Sequence, residues 1–383
     1  MEPEKTKIII ATPLFPPDIG GPATYSRILR DELPKYDIEP IIVSFGSVRH
    51  LPKILRHIAY FFKILFSSKG VDIIYGQDPV SVGLPALIAS KILRKKFIVK
   101  IVGDYAWEQS VQRFNVKDLL DDFAQKKDYS LPVKVFKKIE KYVADSAELV
   151  IVPSFYLKKI VSLWGVDSEK IKVIYNAFEG VPNLGEKDKL REALGFSGPT
   201  IVSVGRLVPW KGFKDLIAIM PKLKDDFPRI RLVIIGSGPD REKLEDQASF
   251  LPKDTIHFTG QLSRYQTLQQ LMAADVLVLN TAYEGLSHLL LEAMAVKVPI
   301  VTTSVGGNIE LIENGVSGLL VPFNDQRAMK VSILDILKDK TNTGVMVDKA
   351  YDKVCGFSVD RMAKEVSNTI NEIADKQLKP DES

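Results

Sequence analysis

The chain is constrained most by an alternation, run through twice, of short β-branched strands with helical stretches. In the first half the strand-like runs are "KIIIAT" (7–12), "IEPIIVSF" (38–45), "VDIIY" (71–75), "KFIVKIVG" (96–103), "ELVIVP" (148–153) and "KIKVIY" (170–175). Helical patterns such as Pro79–Leu93 and Leu131–Ser146 lie between them. From residue 200 the alternation restarts with "TIVSVG", "RLVIIG", "TIHFTG", "DVLVLN", "PIVTT" and "SGLLVP". Strands that are apolar along their whole length are buried on both faces, which means parallel sheets covered by helices. Two such series predict an α/β protein of two Rossmann-like, doubly wound parallel-sheet domains. A length of 383 residues agrees, because a single core stops growing below that size. The loop-like "NAFEGVPNLGEKDK" (176–189) is the expected hinge, dividing residues 1–180 from 181–357. A last segment, 357–375, carries apolar residues at 359, 362, 366, 370 and 373. It either caps the second domain or crosses back to the first.

Several classes are excluded by composition. A hydrophobic fraction of 45% with 26% charged residues is that of an ordinary globular protein, and disorder is expected only in the terminal "KQLKPDES". The single cysteine, Cys355, leaves no internal disulfide framework and fits a reducing, cytoplasmic compartment. "MEPEKTKIII" lacks the character of a secretory signal, and no uncharged run approaches the ~20 residues of a spanning helix. Residues 1–180 hold 27 Lys and Arg against 21 Asp and Glu, and the remainder 25 against 27. That asymmetry suggests an anionic surface or partner for the first half and is too small for a nucleic-acid-binding domain.

In doubly wound sheets, ligands bind beyond the carboxyl ends of the strands. After the first strand comes "FPPDIGGPATYSRILRDEL" (15–33), where Gly20 and Gly21 precede a helix. A Gly pair there serves a tight turn, or a close approach of backbone to an anion at the helix N-terminus. In "GRLVPWKG", Gly205 to Gly212, Arg206 and Lys211 sit in a Gly-flanked loop suited to a diphosphate. The plainer alternative is a solvated loop with two surface charges. "YEGLSHLLLEAMA" (283–295) places Glu284 in a strand-end loop and Glu292 in the helix that follows. Carboxylates accept paired hydroxyl hydrogen bonds, so a sugar and a ribose diol are natural partners. Gly285, Leu286 and Ser287 form the turn, and the first helical N–H groups, His288, Leu289 and Leu290, suit phosphate oxygens. Glu292 could instead pair with a neighbouring Lys. "VGGNIELIENG" (305–315) repeats the strand, Gly-Gly and helix order, with Glu310 in the first turn.

In this order and spacing, these four elements resemble the retaining family-4 glycosyltransferases of GT-B fold, over nearly the whole chain. The resemblance implies two domains facing across a cleft: an N-terminal acceptor-binding domain, with 358–383 returning to it, and a C-terminal domain that binds a nucleotide-diphosphate sugar. It implies that Arg206 and Lys211 bind the diphosphate and stabilise the leaving group. Glu284 then meets hydroxyls of the transferred sugar, Glu292 the ribose, and Leu262 of "TGQLS" lies near the base. Gly20 and Gly21 lie against the donor's phosphate or sugar, and Gly205 with the 285–290 turn completes the donor site. No cofactor is implied beyond the nucleotide sugar as co-substrate. No metal is expected either, because the chain lacks Asp-x-Asp and its four histidines form no ligand cluster. One departure concerns the first domain, where many relatives carry a His and this chain has Asp104 in "KIVGDYAWE". Asp104 is an acceptor-side polar group or a helix cap.

The segment "RHLPKILRHIAYFFKILFSSK" (49–69) stands apart. Leu51, Leu55, Ile58, Phe62 and Leu65 form one stripe, with Lys53, Arg56, His57, Tyr60 and Lys63 expected opposite. No Asp or Glu occurs from Pro40 to Val71. Such a helix lies on an anionic membrane, or packs its apolar face on the sheet. The expected function is transfer of a sugar to an acceptor hydroxyl, on a glycan or a lipid-linked carrier. An epimerase- or phosphorylase-like enzyme, or a non-catalytic nucleotide-sugar binder, are the alternatives. A nicotinamide oxidoreductase fails, because the first Gly pair lacks G-x-G-x-x-G and no acid ends the second strand.

Overall fold

A computed structural model describes residues 5–18 and 20–375, with the backbone alone at Lys53 and Ile54. The terminal "KQLKPDES" lies outside the described residues. The chain forms two compact units, Met1–Ala177 with Ser358–Ser383, and Phe178–Phe357.

In the first unit, β1 (Thr6–Thr12), β2 (Ile38–Ser44), β3 (Ile73–Gly76), β4 (Lys96–Lys100), β5 (Leu149–Val152) and β6 (Ile171–Val173) make one sheet in the order β2-β1-β3-β4-β5-β6. All its pairings are parallel. Ile8, Ile9 and Ile10 are all fully buried, as a strand covered on both faces requires. On one face, Ile8, Ile10, Tyr75 and Ile98 pack with Tyr25, Ile28 and Leu29 of the helix Gly21–Glu32. The closing helix, Val359–Asp375, joins that core through Met362, Val366, Ile370 and Ile373. It crosses back to the first unit.

The second unit repeats the plan. Its strands are β7 (Thr200–Val204), β8 (Arg231–Ile235), β9 (Ile256–Gly260), β10 (Val276–Leu279), β11 (Ile300–Thr303) and β12 (Leu319–Val321), in the parallel order β12-β11-β10-β7-β8-β9. Its core gathers Ile201, Leu232, Ile234 and Val278 of the strands with Leu216, Met220 and Leu223 of the helix Phe213–Asp226.

Two expectations change. The helix expected over Pro79–Leu93 begins at Gly83, because the Asp78 carboxylate accepts from the N–H groups of Val80, Ser81 and Val82 and holds them in a turn. In the helix Lys53–Ser67 the apolar stripe is not packed on the sheet, the second of the two arrangements expected, and Tyr60 of the expected polar face turns inward. Tyr60 and Ile64 are fully buried, and the Tyr60 hydroxyl donates to the Val43 carbonyl at 2.7 Å. Leu55, Ile58, Phe62 and Phe66 are exposed, so the apolar stripe faces outward. A buried Tyr with its hydroxyl paired anchors the helix from a position that hydrophobicity alone does not register.

Candidate functional site

In the second unit the chain runs from β7 outward through β8 and β9, then returns to place β10 on the other side of β7. The crevice beyond the carboxyl ends of β7 and β10 is therefore the topological switch point. The loop after β7 carries Gly205, Arg206 and Lys211, and the loop after β10 carries Glu284 to Ser287. Topology alone brings these two sequence segments together.

Their side chains meet. The Lys211 ammonium and the Glu284 carboxylate form an ion pair, with side chains 16% and 19% exposed. Partial burial makes such a pair stronger than a surface one, because less water screens it. Arg206 is exposed in the same loop, and no partner is recorded for its guanidinium among the described residues.

Backbone contacts hold both loops in place. Asn280, 2% exposed, donates from Nδ2 to the Gly212 carbonyl and to Asn324 Oδ1, both at 2.9 Å, and accepts from Asn324 N–H at 3.0 Å. Ala282 N–H donates to the Trp210 carbonyl at 2.8 Å, a second tie between the loops. Gly306, in the loop after β11, has φ +56°, and a Cβ there would lie 2.2 Å from the Glu284 carbonyl oxygen. Gly307 N–H donates to that same oxygen at 2.8 Å. Glu284 is thus held by its backbone from one side and by Lys211 from the other.

The helix His288–Ala295 starts at Ser287, whose hydroxyl accepts from Leu290 N–H at 3.3 Å. The Leu290 N–H expected to face a phosphate therefore has a cap partner. Glu292 is paired to Arg264, whose Nε donates to Oε1 at 2.7 Å and whose Nη2 donates to the Gly180 carbonyl at 3.0 Å. Burial raises the Glu292 carboxyl above its ordinary range, and Arg264 opposes that rise. The anticipated basic partner exists and is an Arg. Leu262 lies two residues before it, in the turn between β9 and the helix Arg264–Ala273.

The expected residues of the first unit lie at its own switch point or beside it. Beyond β1, Gly20 has φ +147°, and its carbonyl accepts from Ala23 and Thr24 N–H at 3.0 and 3.1 Å as the helix from Gly21 begins. Beside it, Gln77, at the end of β3, is 2% exposed and accepts from Ser26 Oγ at 3.0 Å. Its Nε2 is buried without a partner among the described residues. Asp104 caps the helix Tyr105–Arg113: Oδ1 accepts from Trp107 N–H at 2.7 Å and Oδ2 from the Trp164 indole at 3.2 Å. Glu140 accepts from Tyr105 N–H at the same helix end, at 2.6 Å. Burial raises both carboxyls, and Asp104 raises Glu140 further. Of the two readings of Asp104, the cap is the one with visible geometry. Sequence reasoning missed Asn280, Arg264 and Gln77; the first and last close a strand, a position that could have flagged them.

The chain matches the family "Glycosyl transferases group 1" over residues 186–353 and "Glycosyltransferase Family 4" over residues 17–179. An uncharacterized glycosyltransferase of Methanocaldococcus jannaschii, MJ1607, is 32% identical over 58% of this chain and 60% of its own length. A second from the same organism is 28% identical, with 53% of its length covered, so the chain spans less than two thirds of these curated relatives. A GDP-mannose-dependent monoacylated alpha-(1-6)-phosphatidylinositol monomannoside mannosyltransferase of Corynebacterium glutamicum is 25% identical over 89% of this chain and 91% of its own. Among solved structures, Anabaena HepE in complex with UDP and glucose superposes with a TM-score of 0.74 at 20% identity, over 96% of this chain and 100% of that one. Sucrose-phosphate synthase from Thermosynechococcus elongatus gives 0.76 at 19%, over 96% and 99%. With the two family matches together spanning most of the sequence and both sheets wound as in these structures, the chain belongs to glycosyltransferase family 4 and has the GT-B fold.

Proposed function

We propose that the protein transfers a sugar, with retention of anomeric configuration, from a nucleotide-diphosphate sugar to an acceptor hydroxyl. The observation that carries this reading is the Lys211–Glu284 pair at a strand-end switch point, with Arg206 exposed in the same loop. Breaking the bond between sugar and diphosphate leaves negative charge on the diphosphate, and fixed cations lower the barrier to that charge. Lys211 and Arg206 supply them. Glu284, held by Gly307 N–H, accepts from sugar hydroxyls, and Glu292 with Arg264 receives the ribose. HepE, with its UDP and glucose, supports a nucleotide-sugar donor. Incubation with UDP-, GDP- and ADP-sugars and an acceptor, with the product anomer read by NMR, tests the proposal. Donor binding without turnover would make the chain a sensor, and an inverted product would remove retention.

Charge on the leaving group is assigned here to side chains, so turnover should continue in EDTA. Among the described residues no group of three or more His, Cys, Asp or Glu is arranged to hold a metal. Activity abolished by EDTA and restored by Mg²⁺ or Mn²⁺ would reverse that assignment.

The acceptor is proposed to be carried on lipid, at an anionic membrane surface. No helix among the described residues is long and apolar enough to cross a membrane. The outward stripe of the helix Lys53–Ser67 is instead shaped to lie on one, with Phe66 78% exposed and stacked against Phe62. The Corynebacterium relative, by its name, acts on a monoacylated lipid. The protein should sediment with vesicles containing anionic lipid and be partly released by 1 M salt, where the Debye length is about 3 Å. Ile58→Glu with Phe66→Glu should abolish sedimentation while leaving donor binding intact. Equal sedimentation with neutral vesicles would remove the anionic surface from the proposal, no sedimentation with either would remove the membrane, and none lost in the variant would remove this helix from it.

A further inference from the structure

Another surface of the first unit goes beyond this reading. A groove of about 470 Å³ opens where the helix Leu131–Ser146 meets the end of the helix Leu120–Gln125 and the Leu163–Trp164 corner. Six lysines line it, at 126, 127, 134, 137, 138 and 141, and among the described residues no carboxylate does. Four of them share one helix face at spacings of three, four and seven residues. Like charges at such spacings repel and weaken the helix. A folded helix that carries this repulsion has its electrostatic optimum with an anion present.

Resident partners neutralise only part of the charge. Lys126 pairs with Asp118 at 3.0 Å, Lys141 with Asp145 at 2.8 Å, and Lys134 with the fully exposed Asp128 at 3.3 Å. Lys137 donates to the carbonyls of Phe123, Ala124 and Lys126. Lys127 and Lys138 have no recorded partner among the described residues, so cations remain in excess.

The rest of the lining is not that of a solvated charged face. Leu131 is 75% exposed, Val135 and Leu163 are exposed as well, and Trp164 also lines the groove. A free polyanion gains nothing from such a wall, and a neutral lipid leaves the ammonium groups uncompensated. We propose that this groove binds a lipid whose headgroup ends in a phosphate, with the phosphate among the lysines and the first part of its chain against Leu131 and Val135. The volume falls in the range of small-molecule pockets. The helix Leu131–Ser146 packs beside the helix Gly83–Leu93, which packs beside Lys53–Ser67, so the groove and the outward apolar stripe belong to the same unit.

Binding of monomeric dihexanoyl phosphatidic acid, below its micellar concentration, to the full chain tests the site by calorimetry and by tryptophan fluorescence. Dihexanoyl phosphatidylcholine and inorganic diphosphate are the comparison ligands. Saturable binding of the phosphatidic acid is expected, at least about tenfold tighter than either comparison ligand. Lys127→Glu with Lys138→Glu should weaken it at least about tenfold, as each cation near a phosphate contributes measurably. Leu131→Asp, at an exposed position where melting should change little, should weaken it too. Diphosphate binding as tightly would make this a free-anion site, and phosphatidylcholine binding as tightly would make it a simple apolar patch. Unchanged affinity in the lysine variant would place the ligand elsewhere. Each of these outcomes overturns the proposal. Because the probe is monomeric and no donor is present, failure here is separable from failure of vesicle binding or of sugar transfer.

Discussion

Replacing Lys211 with Ala should lower turnover of the donor by about 10²–10³, the loss typical of one fixed donor to a developing oxyanion. Arg206→Ala should act in the same direction. The loss should appear in kcat as well as in kcat/KM, because the further negative charge that develops on the diphosphate as the bond breaks is present only in the transition state. Lys211 is also the ion-pair partner of Glu284, so its removal frees that carboxylate as well. Glu284→Gln should therefore be non-additive with Lys211→Ala: the double variant loses less than the product of the two single losses. Thermal melting of each variant separates this from unfolding. If both single variants turn over donor at the wild-type rate, the loop after β7 is a solvated turn.

A comparable loss is expected from a single methyl group. Gly306→Ala places a Cβ 2.2 Å from the Glu284 carbonyl oxygen at a position with φ +56°. The left-handed backbone alone costs about 1–2 kcal/mol for a residue with a Cβ. The overlap with backbone adds to it and must displace the segment that carries Glu284. Gly315 is the matched control, because it has φ +74° with nothing within 4 Å of the same Cβ. Gly315→Ala should therefore show the conformational strain alone and keep its activity. Gly306→Ala should melt lower, each further kcal/mol being worth about 2–4 °C in a unit of this size, and should lose transfer. Equal melting and equal activity in the two variants would mean that the loop after β11 does not hold Glu284.

Much of this fold is legible in the sequence because its signals are local. All twelve strand-like runs became strands, since an uninterrupted apolar run such as Ile8-Ile9-Ile10 has only one way to bury both faces. The two donor-side loops are legible for a related reason: Gly and charge at the end of a buried strand have few structural uses. What was hidden depends on partners distant in sequence. Glu292 meets Arg264, and Asn280 meets both Gly212 and Asn324; no periodicity encodes such pairings. Asp104 showed a cap and a polar site equally well until Trp107 and Trp164 took its two oxygens. The helix Lys53–Ser67 misleads because its inward side is marked by Tyr60 and Ile64 rather than by its most apolar stripe.

Synthesis of this chain meets an interruption built into its first unit. Strands β1 to β6 leave the ribosome together, yet Met362, Val366, Ile370 and Ile373, which fill their core, follow only after all of Phe178–Phe357. At bacterial and eukaryotic elongation speeds that delay is roughly 10–40 s. Throughout it, Tyr25, Ile28 and Leu29 have an open apolar seat beside them, whereas the contiguous second unit can close as soon as it emerges. A nascent chain stalled before residue 358 should accordingly be a strong chaperone client, with protease sensitivity confined to the part that was made first.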